Sequence, residues 1–100
     1  MFVSLSIHQP RPGKEEELLE AMTAFDECMK RHEGFREGHL CIDAESKKII
    51  GIVTWDSRGH FLAAFPEVLR ETKARGIDPS GLEEGRGTLY QLTAVRDVHS

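Results

Sequence analysis

Residues 48–57 read Lys-Ile-Ile-Gly-Ile-Val-Thr-Trp-Asp-Ser, and this stretch decides the fold. Its β-branched and aromatic residues predict a strand over about Lys48–Asp56. Alternation puts Ile50 and Ile52 on one side and Val53 and Trp55 on the other. A sheet with helices on one face would leave one of these apolar pairs in water. Burying such side chains stabilises by about 1.5–3 kcal/mol each, so a contiguous exposed set needs a cover. A second copy of the sheet is the expected one, and a homodimer is predicted.

Outward from this stretch, the polar connection Ala44-Glu45-Ser46-Lys47 joins it to a preceding strand over about Gly38–Asp43, which makes a hairpin. Before that, Leu18, Met22, Phe25, Met29 and His32 mark one face of a helix over about Lys14–His32, with Gly34 as its stop. Three glutamates, Glu15, Glu16 and Glu17, sit at its positive end, and Lys30 and Arg31 at its negative end. The chain opens on Phe2-Val3-Ser4-Leu5-Ser6-Ile7-His8, a period-two strand halted by Pro10, Pro12 and Gly13. Periodicity alone places Val3, Leu5 and Ile7 under the helices and the serines in water. On the C-terminal side, Asp56 or Ser57 caps a second helical region. Pro66 splits it into a short helix near 57–64 and another from Pro66 to Arg75, because proline removes a helical hydrogen bond. A glycine-rich loop over 76–87 leads to a last strand, Thr88–Val95. The order is βαββαβ, predicting one α+β domain over residues 1–100, with a ferredoxin-like antiparallel sheet carrying its helices on one face.

Composition narrows the function. The 100 residues hold 13 basic and 17 acidic side chains, a net charge of −4 that disfavours nucleic acid and anionic membranes as partners. No apolar run approaches the roughly 18 residues of a membrane span, and no charged-then-apolar leader opens the chain. Cys28 and Cys41 are too few for a disulfide scaffold. Reduced thiols in the cytoplasm are expected.

Other motifs have simpler explanations. The βαββαβ order is also that of RNA-recognition motifs, and Lys48, Gly51, Val53 and Trp55 fit their third strand. The positions that should stack on bases are Ile50 and Ile52, which offer no aromatic face. His39, Cys41 and Asp43 alternate onto one strand side, but even with Cys28 or His32 added they match no strong zinc spacing, so no metal is expected. Gly81, Gly85 and Gly87 lack the strand, lysine and helix of a phosphate loop. The acidic first helix reads as a solvated face.

Trp55-Asp56-Ser57 followed by Phe61 resembles the antibiotic-biosynthesis monooxygenase superfamily of dimeric α+β barrels. The opening strand ending in Arg11-Pro12-Gly13-Lys14, Gly34-Phe35 after the first helix, and Pro66 in the second fit the same pattern over nearly the whole chain. The resemblance implies homodimers packed sheet to sheet, burying Val3, Leu5, Ile7, Ile50 and Ile52. It also implies a ligand cavity between sheet and helices, which reverses the facing read from periodicity and turns Ser4, Ser6, His8, Gly51 and Trp55 inward. By the same resemblance the activity is cofactor-free oxygenation of a small apolar or aromatic, quinol-type molecule. Trp55 would be a flat wall, Arg70 the charge that stabilises a phenolate, and His8 the base that takes the phenol proton. Ser4, Ser6, Gly51 and Phe61 would contact substrate. Gly51 and Phe61 stand where the pattern has asparagine and tyrosine, each lacking a hydrogen-bonding group. The haem-degrading branch is disfavoured, with Ser6 in place of its asparagine and neither tryptophan nor histidine beyond His60 in the second helical region. Two alternatives stand beside the oxygenase: a non-catalytic small-molecule-binding module, and an isomerase or lactone-handling enzyme using His8 or His39.

Overall fold

The computed structural model describes residues 1–96 and 98. Its elements are β1 (Phe2–His8), α1 (Glu15–Met29), β2 (Phe35–Ile42), β3 (Ile49–Trp55), α2 (Arg58–Ala74), a short 3₁₀ turn (Pro79–Gly81) and β4 (Thr88–Thr93). The four strands form one antiparallel sheet in the order β2-β3-β1-β4. This is the ferredoxin-like α+β fold, with β1 and β3 at the centre. No helix among the described residues is long and apolar enough to cross a membrane.

The hairpin turn between β2 and β3 is closed by Asp43. Its carboxylate accepts from the Ser46 hydroxyl and backbone N–H at 2.7 and 2.8 Å, which holds it below the usual carboxylate range. Ser57 caps α2 by accepting from the His60 N–H.

Pro66 does not divide the second helical region. One helix runs from Arg58 to Ala74 with Pro66 inside it. The carbonyl that loses its donor belongs to Leu62, and Leu62 and Pro66 are both on the exposed side of α2. That side faces solvent, which satisfies a freed acceptor at little cost, so the interruption predicted from sequence is not needed.

The two sheet faces are opposite to those that periodicity alone predicts. Under the helices lie Phe2, Ser4, Ile49, Val53 and Trp55, all buried, while Val3, Leu5 and Ile7 lie on the open face and are only half-buried. Burial of the two largest aromatic side chains on these strands, Phe2 and Trp55, sets the choice. β3 follows β1, since Phe2 pairs with Trp55 and Ser4 with Val53. The reversal therefore carries the serines inward with the aromatics.

Candidate functional site

Between the sheet and the helices, one end is full. Phe2, Trp55, Phe61 and Phe65 fill it, with neighbouring ring centroids 5.1–5.9 Å apart in stacked, tilted and edge-on contacts. Along the same strands the side chains then shrink to Ser4, Ser6 and Gly51, and the helices do not close the gap. A cavity of about 270 Å³ remains. Met22, Phe25 and Met29 of α1 and Phe61, Phe65 and Leu69 of α2 make its apolar walls. Gly51 keeps its floor open: a methyl group there would stand 2.8 Å from the Ser6 hydroxyl.

The polar end of the cavity is built by chain segments far apart in sequence. The loop after α2 is laced to the continuation of β1. Arg11 N–H donates to the Leu82 carbonyl at 2.9 Å, Glu84 N–H to Gln9 at 2.8 Å, and the Arg11 side chain to Glu83 at 3.1 Å. This lacing brings the Glu83 carboxylate to 2.8 Å from His8 Nδ1, with the two side chains 7% and 14% exposed. A carboxylate only accepts, so Nδ1 carries the proton that it donates to Glu83. The other ring nitrogen, Nε2, is fully buried and has no hydrogen-bond partner among the described residues. An orphaned buried polar atom costs about 1–3 kcal/mol. Here it belongs to a ring whose tautomer and orientation are fixed by a buried carboxylate, which leaves Nε2 with a free lone pair. Gly87 makes room for it, since a methyl group at that position would lie 2.4 Å from His8 Nδ1.

A third titratable group, Asp26 of α1, is on the cavity wall. Burial, and secondarily the neighbouring Glu27, pushes its carboxyl up to about 6. Among the described residues, no lysine or arginine lines the cavity.

Of the residues singled out from sequence, Ser4, Ser6, His8, Gly51 and Phe61 line this cavity together. Trp55 does not. It is completely buried in the full end, edge-on to Phe35 and Phe61, and its Nε1–H donates to the Ser4 hydroxyl at 3.2 Å. It positions Ser4 and fills the core; the aromatic rings on the wall are Phe25, Phe61 and Phe65. Arg70 is not in the cavity either. The buried stripe of α2 is Phe61, Ala64, Val68 and Thr72, so position 70 falls on the opposite side of the helix. Its side chain is 69% exposed and pairs with Glu67. His39 and Cys41 are exposed, paired in register with Ile52 and Ile50 on the open face.

Sequence reasoning missed Glu83 and Asp26. Glu83 gave no signal, because its partner is 75 residues away and an acid in a glycine-rich loop reads as solvated. Asp26 did give one. Met22, Asp26 and Met29 are spaced by four and three residues, so it lies on the apolar stripe of α1.

No family model matches the chain, and no curated protein does. Solved structures do match it in fold. Rv0793 from Mycobacterium tuberculosis superposes with a TM-score of 0.81 at 14% identity, covering 98% of each chain. A variant of SnoaB, a cofactor-independent oxygenase from Streptomyces nogalater, gives 0.79 at 16% identity over 99% of this chain and 97% of that one. A protein of Nitrosomonas europaea provisionally named as an antibiotic biosynthesis monooxygenase gives 0.75 at 14% over 96% and 100%. The chain thus has the fold of antibiotic-biosynthesis-monooxygenase-like structures.

Proposed function

We propose that this protein is a cofactor-independent monooxygenase that acts on an aromatic, quinol-type small molecule in the cavity under its helices, and that it works as a homodimer. The observation that carries the reading is the Glu83–His8 pair, with a buried, unpartnered Nε2 on a ring that lines an otherwise mostly apolar cavity. The fold shared with a cofactor-independent oxygenase supports it.

In this reading His8 Nε2 takes the proton of a ring hydroxyl. Among the described residues no lysine or arginine lines the cavity, so the phenolate is stabilised by the imidazolium formed in the same step, itself paired with Glu83. The electron-rich ring then reduces oxygen directly. The balance closes on the substrate alone. A quinol and O₂ give a hydroxyquinone and water, with one oxygen atom replacing a ring hydrogen as hydroxyl. Two electrons come from that C–H oxidation and two from oxidation of quinol to quinone. Walls of Met22, Phe25, Phe61 and Phe65 hold the flat ring and keep water from the reacting carbon.

The open sheet face supports the dimer. Strand register brings Val3 beside Leu92 and Thr54, and Leu5 beside Tyr90 and Ile52, in one apolar field. Tyr90 and Leu92 are 49% and 42% exposed in the single chain. A second copy, sheet to sheet, covers this patch.

Oxygen uptake on a panel of hydroquinones tests the activity. The expected result is stoichiometric uptake with hydroxyquinone as product, lost in His8→Ala and strongly reduced in Glu83→Gln. Saturable binding without uptake would replace the oxygenase by a small-molecule-binding module. Light scattering tests the dimer, which requires twice the 11.3 kDa chain mass at micromolar concentration.

A further inference from the structure

The proposed mechanism uses one end of the cavity and leaves Asp26 without a role. Asp26 is not part of the Glu83–His8 pair. Val53 pairs with Ser4 in the sheet and Ile49 with His8. A methyl group at Gly38 would stand 3.5 Å from both Asp26 Oδ2 and the Val53 side chain, so the Asp26 carboxylate lies over the Gly38–Val53 level. The two groups are therefore separated by the four-residue step from Ser4 to His8, about 13 Å of strand before the two side chains reach inward. They also differ laterally: Asp26 lies over β2 and β3, and His8 is on β1 beside the loop that carries Glu83.

The surroundings of Asp26 give its carboxylate nothing to bind. Burial and Glu27 are the influences on it, both unfavourable to its charge, and no cation pairs with it among the described residues. Lys30, one turn further along α1, is held by Glu27 at 2.9 Å. From β2 and β3 the neighbours are Gly38 and Val53, and α2 adds Phe61, Phe65 and Leu69 to the same cavity. The other titratable groups on the cavity wall are His8 and Glu83. A half-buried acid on an apolar stripe, turned to a cavity and unpaired, is costly to the fold unless something in the cavity uses it.

We propose that Asp26 is the second polar anchor of the cavity, a specificity-determining residue that hydrogen-bonds the end of the ligand remote from His8. The inference rests on the cavity being the ligand site and names the class of ligand it takes: a flat apolar body bearing a neutral hydrogen-bonding group at each end. An anionic end is rejected, because among the described residues the walls carry two carboxyl groups and no lysine or arginine to receive it.

Calorimetric binding of three naphthalenes tests this. 2,6-Dihydroxynaphthalene has a hydroxyl at each end, 2-naphthol has one, and 6-hydroxy-2-naphthoate replaces one with a carboxylate. The diol is expected to bind the parent at least tenfold more tightly than 2-naphthol. Asp26→Leu should bring the two within about twofold while leaving 2-naphthol nearly unchanged, and Asp26→Asn, which keeps the hydrogen-bonding shape, should retain most of the preference. The naphthoate should bind Asp26→Asn better than the parent at pH 7.5, with the difference closing at pH 5, where Asp26 is protonated. If the diol preference survives in Asp26→Leu, the anchor is refuted and the oxygenase reading stands. If the preference depends on Asp26 but no quinol consumes oxygen, the anchor stands and the oxygenase reading falls. If none of the three binds the parent, both fall.

Discussion

The two ends of the space under the helices are lined by the same strands and differ in side-chain size and polarity. At the Phe2 end of β1, large rings interlock and nothing is left over: Phe2, Trp55 and Phe61 are each at most 2% exposed. Toward the His8 end Ser4, Ser6 and Gly51 line a gap that the helices bridge instead of filling, with Ile49 buried beside it. The full end supplies stability, together with a second buried cluster of Leu18, Cys28, Ile49 and Val68. The hollow end spends some of it, on an orphaned imidazole nitrogen and an unpaired carboxyl. Division of labour along one strand lets a chain of 100 residues hold a ligand-sized hole without losing its core.

Breaking the full end gives the largest effect. Trp55→Ala removes a fully buried side chain and strands the Ser4 hydroxyl that its indole N–H meets. The expected cost is about 3–5 kcal/mol, read from urea unfolding. For a domain of this size that is a large share of total stability. Trp55→Phe, which keeps most of the volume, should cost much less and leave ligand binding in place.

Breaking the hollow end should do the reverse. His8→Phe combined with Glu83→Leu replaces the polar pair and its orphaned nitrogen by apolar side chains of similar shape, so the unfolding midpoint should hold or rise, while turnover falls by about 10²–10⁴-fold with loss of the base. His8→Phe alone strands the buried Glu83 carboxylate and should lower the midpoint. Gly87→Ala tests the same pair without touching it. The added methyl would lie 2.4 Å from His8 Nδ1, so the ring must leave Glu83. Turnover should drop by about 10²-fold or more, with a smaller change in stability. A Gly87→Ala protein as active as the parent would mean that the Glu83 contact is dispensable.

These contrasts also explain what could be read in advance. The strand and helix order was legible because the chain alternates between period two and period 3.6 and marks its turns with Gly, Pro and short polar runs. The facing of the sheet came from the family resemblance and not from periodicity, because on β1 the period-two pattern is honest about polarity and silent about size: Val3, Leu5 and Ile7 are apolar, but Phe2 decides which side is buried. Pro66 misled for a similar reason, since its cost depends on whether Leu62 faces water, a tertiary fact. In the site, the residues on strands came into place with the strands. Glu83 could not, because only the lacing of its loop onto residues 9–11 brings it to His8.

A subtler difference between the ends is titratable. The ordinary Asp carboxyl loses its proton near pH 4, and Asp26 in the folded chain near pH 6. Between those values the native state holds a proton that the unfolded chain has released. Stability from this group therefore falls as pH rises through the window and is restored below it. Asp26→Asn removes the effect, so its unfolding midpoint should gain on the parent between pH 4.5 and 7.5. Asp43 and Asp78, held below the usual range by hydrogen bonds from Ser46 and Ser80, titrate alike in both proteins and cancel in the comparison. A parent-minus-variant difference that is flat with pH would show that Asp26 is not desolvated.

The smallest effect is expected at Arg70, and it sharpens the comparison by belonging to neither end. As the cation that stabilises a phenolate, Arg70 would make Arg70→Ala lose both binding and turnover. Its place on the wet side of α2, paired i,i+3 with Glu67 in high dielectric, implies a change of about 0–1 kcal/mol in stability and none in ligand affinity. Trp55, the only tryptophan, gives the readout: it abuts Phe61 on the cavity wall, so a quinone bound in the cavity should quench its emission saturably. Quenching curves of Arg70→Ala and parent should superimpose, whereas those of His8→Ala should shift to weaker binding. A weakened Arg70→Ala curve would require the end of α2 to move inward by a helical face on binding. The charge balance of the hollow end, two carboxyl groups with one imidazole between them, would then have to be redrawn around a cation.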